Sequence, residues 1–143
     1  MTNLISAIDP TRESLADYVQ KFPANTPVVM LNLLRFREQA AYQPEDAQAA
    51  TMTGREAYAT YSRFVLPLLK GVGGQPIWAA AAHVALIAPP GEAWDEILLV
   101  RYPRREAFLQ MVQSPEYRAI VFHRRAALAD SRLIASVESR GFA

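Results

Sequence analysis

The sequence predicts an α+β fold in which helices cover one face of a four-stranded antiparallel sheet. The apolar segments follow the order strand, helix, strand, strand, helix, strand, and the turn-forming run Pro89–Glu92 joins the middle two strands. Right-handed crossovers then place both helices on the same side of the sheet. A chain of 143 residues that is 51% hydrophobic can bury a core of its own. We expect a single domain over 1–143, with its core at 28–137 and an N-terminal helical extension at 9–22.

The N-terminal half of the chain contains two helix starts and one strong strand. Asp9 and Pro10 suit the start of a helix, because Asp can cap free backbone amides and Pro needs no donor there. The run Val28–Phe36 is apolar with β-branched residues at its start, which is typical of a strand buried on both faces. Thr53 and Glu56 form a capping-box pattern, which predicts the start of a second helix.

The C-terminal half predicts a hairpin, short helices and a closing strand. The predicted strands are Gln75–Ala88, Trp94–Tyr102 and Leu133–Val137. Arg104–Val112 predicts one or two helical turns, and Ser114 followed by Pro115 predicts a new helix, because Ser caps the amides and Pro suits the first turn. The connection Arg37–Met52 is longer than most loops, which predicts a mobile segment, a partly helical one or a lid.

Alternation along the strands predicts which residues face the helices. The residues expected under the helices are Val29, Leu31, Leu33, Ile97 and Leu99, and those expected on the bare face are Val28, Met30, Asn32, Leu34, Phe36, Trp94, Leu98 and Val100. A monomer seldom exposes more than roughly 300–600 Å² of contiguous apolar surface. We therefore expect a second copy of the chain to cover the bare face in a homodimer, with the N-terminal helix as the alternative cover.

Several short segments, in the same order, resemble a known bacterial family. They are Val28–Leu34, the helix Tyr58–Pro67, Gly73-Gly74, the strand Trp94–Pro103 and Ser114–Tyr117. Across Val28–Val137 the chain resembles the domain of unknown function 1330, a member of the dimeric α/β-barrel superfamily. The resemblance implies a ferredoxin-like βαββαβ fold that pairs into a dimeric α/β barrel. That superfamily includes cofactor-independent monooxygenases, isomerases, dehalogenase-like proteins and haem proteins, so the resemblance does not imply one activity.

The composition excludes several classes of function. Lys and Arg total 15 and Asp and Glu total 14, and the resulting net charge of +1 is too small to attract the chain to nucleic acid or anionic lipid in general. The chain has no cysteine, which excludes disulfides and thiolate chemistry and fits a cytoplasmic location. The N-terminus shows no secretory signal pattern, and the apolar run Ile77–Pro90 is too short to span a bilayer. We expect no cofactor, no metal, no membrane contact and no nucleic-acid partner.

Arg124 occupies the most unusual position in the sequence. It falls in the middle of an apolar helical stripe that Tyr117, Ile120, Val121 and Leu128 define. A buried guanidinium is costly unless it is paired. An internal salt bridge or a snorkelling side chain would satisfy it, and so would the acidic group of a ligand.

Four further residues are candidates for contact with a ligand. Asn32 is polar within an apolar strand, so the backbone, water or a ligand oxygen must satisfy it. His83 is a candidate because histidine is the side-chain type that ordinarily exchanges a proton near neutral pH, but His83 and His123 without a spaced carboxylate do not predict a metal or haem site. Tyr61 and Trp94 suit either the core or an aromatic pocket.

The sequence favours a homodimer that binds a small molecule between the sheet and the helices. We expect this molecule to be partly apolar, with an acidic group as one option. We expect Asn32 and Arg124 to orient it, and we expect the segment Arg37–Met52 to gate access to it. One alternative is a cofactor-independent monooxygenase or isomerase, in which His83 or His123 handles a proton and Asn32 stabilises charge on an oxygen. The other alternative is a structural or regulatory dimer without a ligand.

Overall fold

One antiparallel sheet, in the strand order β2-β3-β1-β4, organises the described chain. The computed structural model describes residues 6–46 and 52–139. Its elements are α1 (Arg12–Lys21), β1 (Val28–Phe36), α2 (Gly54–Gly71), β2 (Gln75–Ala81), β3 (Glu96–Tyr102), α3 (Arg105–Val112), α4 (Pro115–Arg118), α5 (Val121–Ala127) and β4 (Leu128–Ser136). The order and pairing confirm the α+β, ferredoxin-like βαββαβ arrangement, preceded by one extra helix.

Side-chain caps begin three of the helices. The Thr53 hydroxyl accepts a hydrogen bond from the Glu56 amide at 3.1 Å, and the Glu56 carboxylate accepts one from the Thr53 amide at 2.9 Å, so the predicted capping box is confirmed. Ser114 caps α4 as expected. Helix α1 begins later than predicted, because Thr11 rather than Asp9 provides its cap. No helix in the described ranges has the length and apolar content needed to cross a membrane.

The middle strands are shorter than the sequence predicts. Strand β2 ends at Ala81, so the predicted extension to Ala88 was wrong and His83 lies in the loop between β2 and β3. Strand β3 begins at Glu96, which leaves Trp94 in the same loop. The Ala82 amide still bonds to the Asp95 carbonyl at 2.9 Å, and beyond it the two segments separate into the loop.

The bounds of the last helix and the last strand also differ from those that the sequence predicts. Two short helices, α4 and α5, replace one, because the Ile120 amide bonds to the Tyr117 carbonyl in a tighter turn than an α-helix. Strand β4 begins at Leu128 rather than at Leu133, and Leu128 pairs with the end of β1. A short apolar run fits a helix or a strand equally well, so periodicity alone placed Leu128 wrongly.

The two faces of the sheet are the reverse of the sequence prediction. Val28, Met30 and Val100 pack in a core cluster with Phe22 and Phe108 on the helix side. The residues that face the helices are Val28, Met30, Asn32, Leu34, Leu98 and Val100, and those that face away are Val29, Leu31, Leu33, Ile97 and Leu99. A strand that is apolar at every position has no alternation of apolar and polar residues to show which side chains face the helices. An error of one residue in this assignment moves every side chain to the other face.

Helix α1 lies on the helix side of the sheet. The Tyr18 ring contacts Phe22 and Phe108, with centroids 5.6 and 5.7 Å away, and the Tyr18 hydroxyl donates a hydrogen bond to the Arg105 carbonyl at 2.8 Å. The alternative in which the N-terminal helix covers the bare face was therefore wrong.

An apolar row crosses the bare face of the sheet, which we call the open face. Strand register aligns Trp78 with Leu99, Leu99 with Leu31, and Leu31 with Ile134. Trp78 and Ile134 at the two edges are 52% and 54% exposed. The described residues thus leave one large side chain from each strand in contact with solvent.

Three segments meet at Gly54 with no room for a side chain. The Arg37 amide donates a hydrogen bond to the Ala127 carbonyl at 2.8 Å, and the Gly54 amide donates one to the Arg37 carbonyl at 3.1 Å. A Cβ atom on Gly54 would collide with the Arg37 carbonyl oxygen and would lie 2.6 Å from that of Ala127. This junction sets the start of α2 against the end of α5.

We expect Gly54→Ala to lower the free energy of unfolding by about 1–3 kcal/mol, because the backbone atoms around it must move. Gly71→Ala is the matched control, since nothing lies within 4 Å of a Cβ there. It should be neutral or stabilise by up to about 1 kcal/mol. Urea midpoints measure both, and equal midpoints for the two variants would contradict the close packing.

Candidate functional site

A cavity of about 1510 Å³ lies between the sheet and the helices. The helix-facing residues of the sheet form its floor, α2 and the C-terminal helices form two walls, and the N-terminal segment 7–22 forms a third. Met30, Val100 and Phe108 line an apolar region, whereas polar groups gather elsewhere. We call Asn32, Tyr58, Glu96 and Arg124, all of which line the cavity, the polar cluster.

Arg124 is the buried cation of the polar cluster. Helix α5 turns it inward, and the residue is only 8% exposed. Its guanidinium donates a hydrogen bond to the Ile8 carbonyl. Within residues 6–46 and 52–139 it makes no ion pair, in contrast to its neighbour Arg125, which pairs with Asp9 at 3.1 Å. The apolar stripe predicts that Arg124 is buried, and the structure confirms this. Among the described residues, however, no carboxylate forms the internal salt bridge that would neutralise its charge.

Tyr58 contributes a hydroxyl that has no partner among the described residues. The residue is 8% exposed, and its ring packs on Phe36 and Tyr61, with centroids 5.4 and 5.3 Å away. The described part of the chain offers its hydroxyl no hydrogen bond. Burial raises the pKa of Tyr58 to about 12, with Arg124 lowering it and Glu96 raising it. The hydroxyl is therefore neutral at physiological pH and can donate a hydrogen bond.

Tyr61 and Tyr117 form a hydroxyl pair beside Tyr58. Their oxygens are 3.0 Å apart, so each satisfies the other. Burial raises the pKa of Tyr61 well above its usual value, and Tyr117 raises it further. Both residues line the cavity. The sequence places Tyr117 only in an apolar stripe, because a helical pattern does not reveal where a hydroxyl points.

The side chain of Asn32 offers the cavity a hydrogen-bond acceptor rather than a donor. Its side-chain amide donates to the Leu98 carbonyl at 3.2 Å and to the Met30 carbonyl at 3.4 Å. These bonds hold the side chain against the floor of the cavity, and they use the NH₂ group that could have bound a ligand oxygen. Among the described residues nothing donates to its Oδ1 atom, which leaves that oxygen free to accept.

Glu96 is the acidic member of the polar cluster, and sequence analysis missed it. It is the first residue of β3, opposite Leu34, on the face that carries Asn32. No ion pair or hydrogen bond engages its carboxylate in the part of the chain that the structure describes. An acidic residue on a helix-facing strand position was the available signal, but the reversed assignment of faces concealed it.

Not every candidate residue lies at the cavity. Asn32, Tyr61 and Arg124 line it together. His83 is exposed in the β2–β3 loop, and Trp94 lies under the Arg132 guanidinium, with the ring centroid 5.1 Å from Cζ. The cavity lining found in the described residues therefore includes neither.

His123 is buried on a different side of α5 from the cavity. Its Nδ1 atom is 2.7 Å from the Tyr42 hydroxyl, and its ring stacks on Phe64 with centroids 5.6 Å apart. Burial lowers the pKa of His123, and the charge of Arg63 lowers it further, whereas Asp46 raises it. It is absent from the residues that line the cavity, as far as these are described. The proton-handling alternative therefore has no described histidine at this cavity.

The described part of the Arg37–Met52 connection packs on α5. The Ala41 amide bonds to the Ala126 carbonyl at 2.8 Å, and Tyr42 contacts His123 and Phe122. Residues 37–46 do not line the cavity. The predicted lid also includes residues 47–51, which lie outside the described residues. Within the described ranges, no group of three or more His, Asp and Glu residues is arranged to hold a metal ion.

Comparison with known proteins places the chain in a family. Residues 47–137 match the family described as a domain of unknown function, DUF1330. The chain belongs to the DUF1330 family. No functionally curated protein matches it.

Two sets of solved structures resemble this DUF1330 chain. A protein of unknown function from Rhodopseudomonas palustris is 39% identical, with a TM-score of 0.85 over 95% of this chain and 99% of that one. Its methylated form gives a TM-score of 0.87 at 37% identity, over 98% and 100% of the two chains. A protein of unknown function from Bacteroides fragilis, described as dimeric and ferredoxin-like, is 12% identical, with a TM-score of 0.50 over 81% and 100%. The last likeness shows the fold alone.

Stability of this DUF1330 chain should fall below pH 6.5, the ordinary pKa of histidine. Because burial lowers the pKa of folded His123, the unfolded chain binds a proton first, so falling pH favours unfolding with a slope of at most about 1.4 kcal/mol per pH unit. We expect His123→Gln to flatten the free energy of unfolding between pH 5.5 and 7.5, whereas the exposed-site control His83→Gln keeps the slope. Urea titrations measure this, and unchanged slopes in both variants would refute it.

Proposed function

We propose that this protein binds a small carboxylic acid with an apolar body in the cavity between its sheet and helices, and that it does so as a homodimer. The single observation that carries the binding role is Arg124. More than nine-tenths of this residue is buried, it lines the cavity, and no carboxylate pairs with it in the described ranges.

The chemistry of a guanidinium selects the ligand group. A buried, unpaired cation is costly, and four of the five N–H donors of Arg124 have no acceptor within the described residues. A carboxylate matches the planar fork of Arg with two parallel hydrogen bonds. The neutral Tyr58 hydroxyl is a further donor that lines the same cavity. Together these groups favour an acid over a neutral ligand.

The remainder of the cavity suits an apolar body. Met30, Val100 and Phe108 line it, and each belongs to the core cluster of the fold. Pockets for small molecules are usually apolar, with a few placed polar groups that orient the ligand. A partly apolar acid fits this division, with its carboxylate at the polar cluster.

The homodimer follows from the open face. Trp78, Leu99, Leu31 and Ile134 form an apolar row across all four strands, and the described N-terminal helix does not cover it. A second copy is the simplest cover, because a two-fold axis matches each row with an identical one. The description of the Bacteroides fragilis protein as dimeric supports this assembly.

Arg124→Met should abolish acid binding without unfolding the protein. We expect 3-phenylpropanoate, but not its neutral amide, to stabilise the wild type by about 2.7 kcal/mol at 100 times its Kd. The variant should lose that stabilisation. Thermal unfolding and calorimetric titration with both probes measure it.

The unliganded stability of the same variant separates a binding role from a structural one. Replacing a buried charge that lacks a partner by Met should change stability little or raise it, whereas breaking a true buried pair costs about 3–5 kcal/mol. A loss of that size, or acid binding that survives the substitution, would contradict the proposal. Arg104→Met, on an exposed arginine outside the cavity, is the control and should bind like the wild type.

Substitutions at the edges of the open face should break the dimer. We expect the wild type to show about twice the chain mass of 15.9 kDa in size exclusion with light scattering. Trp78→Lys and Ile134→Lys should shift it to one chain mass, because each buries two charges at a two-fold contact. Val19→Lys, on the exposed side of α1, should stay dimeric. A monomeric wild type at micromolar concentration would refute the assembly.

A further inference from the structure

The polar cluster holds unmatched acceptors as well as unmatched donors. Arg124 and Tyr58 supply the donors. The carboxylate of Glu96 and the Oδ1 atom of Asn32 supply the acceptors, and neither has a donor partner within the described ranges. A ligand with a carboxylate alone would satisfy the donors but would leave both acceptors without a donor. Asn32 is buried, where an unpaired polar group is costly, and the half-buried Glu96 offers its carboxylate to the same cavity.

The two acceptors are close enough to share one ligand group. Asn32 pairs with Leu98 across the strands, and Glu96 lies two residues from Leu98 on the same face. Such diagonal neighbours are about 7–8 Å apart at the backbone, within reach of one group held between their side chains. Asn32 is fixed in place by its bonds to the Met30 and Leu98 carbonyls.

The donors and the acceptors line the same cavity. Arg124 and Glu96 both act on the hydroxyl of Tyr58, with opposite signs. Yet Arg124 and Glu96 form no ion pair with each other in the described structure. Opposite charges that face one cavity without meeting are complementary to a ligand that carries both charges itself.

We propose that the ligand is an amino carboxylate with an apolar side chain, whose carboxylate binds Arg124 and Tyr58 and whose ammonium group binds Glu96 and Asn32. This inference deepens the proposed acid-binding function and rests on it. The apolar side chain of the ligand lies over the Met30 and Phe108 side of the cavity.

An ammonium group fits these acceptors better than a hydroxyl group does. It has three N–H donors, enough for both Glu96 and Asn32, whereas a hydroxyl has only one. It also carries the positive charge that complements Glu96, and hydrogen bonds between ionised groups are roughly twice as strong as neutral ones.

Four probes with the same phenyl body test the ligand class by calorimetric titration of the intact protein. They are phenylalanine, 3-phenylpropanoate, 3-phenyllactate and 2-phenylethylamine. We expect phenylalanine to bind at least about tenfold more tightly than 3-phenylpropanoate, the ratio expected for one hydrogen bond to a charged group. Phenyllactate should bind more weakly than phenylalanine, and phenylethylamine should bind weakest. A second pair, 2-aminohexanoate and hexanoate, repeats the comparison on a linear body.

Glu96→Gln tests whether Glu96 is the residue that distinguishes an amino acid from a plain acid. It preserves the size of the side chain, and we expect the preference for the amino acid over the plain acid to fall to within about threefold. Glu92→Gln is the matched control, because Glu92 lies in the β2–β3 loop near Arg132 and outside the cavity. It should keep the wild-type ratio.

The outcomes separate this inference from the acid site on which it rests. If the plain acids bind through Arg124 and the amino acids bind no more tightly, the ligand class is wrong and the acid site stands. The same holds if phenyllactate binds as tightly as phenylalanine, or if Glu96→Gln leaves the ratio unchanged. If neither kind of acid binds, both proposals fail. The wild-type ratios decide the question even if the variant does not fold.

Discussion

A guanidinium held out of water is the constraint on which the rest of this structure depends. Arg124 sits at the centre of α5, between the buried apolar residues Val121 and Ala127, and its described hydrogen-bond acceptor is a backbone carbonyl. Replacing such a side chain with an apolar one would ordinarily cost a fold nothing. Under the proposed function, a charge kept at this position, with the neutral phenol of Tyr58 lining the same cavity, serves to bind an anion rather than to stabilise the core.

In the polar cluster, the side chains that suit the proposed ligand are not the ones that would stabilise the core most. Asn32, Tyr58 and Glu96 each leave an acceptor or donor unmatched in the described residues, beside a floor that is otherwise packed like the core. A domain selected for stability alone would fill these positions with apolar side chains. The hydroxyl pair of Tyr61 and Tyr117 shows that the fold can satisfy buried polar groups where no ligand is needed.

Local signals in the sequence predicted the fold well, and they predicted the site only in part. The capping box at Thr53, the Ser114 cap and the strand order depend on neighbouring residues, so one sequence was enough to recognise them. The prediction of which strand side chains face the helices was wrong, because an apolar run such as Val28–Leu34 has no polar side to mark its solvent face. That error placed Asn32 on the wrong face and concealed Glu96. His83 and Trp94 were chosen for their chemistry, and only the early end of β2 shows that a loop carries them away from the cavity.

The N-terminal segment adds no strand to the sheet, yet it builds a whole wall of the chamber. It is held by polar contacts of Ala7 with Asp130, Asp9 with Arg125 and Tyr18 with the Arg105 carbonyl, and by the packing of Phe22 in the core cluster. The DUF1330 match starts only at residue 47, so this wall lies outside the matched region. The two ends of this wall differ in what they support, because Phe22 belongs to the core cluster whereas Asp9 is exposed and lines the chamber. Substitutions at exposed positions of the wall therefore change the shape of the chamber with less effect on the core than substitutions at Phe22.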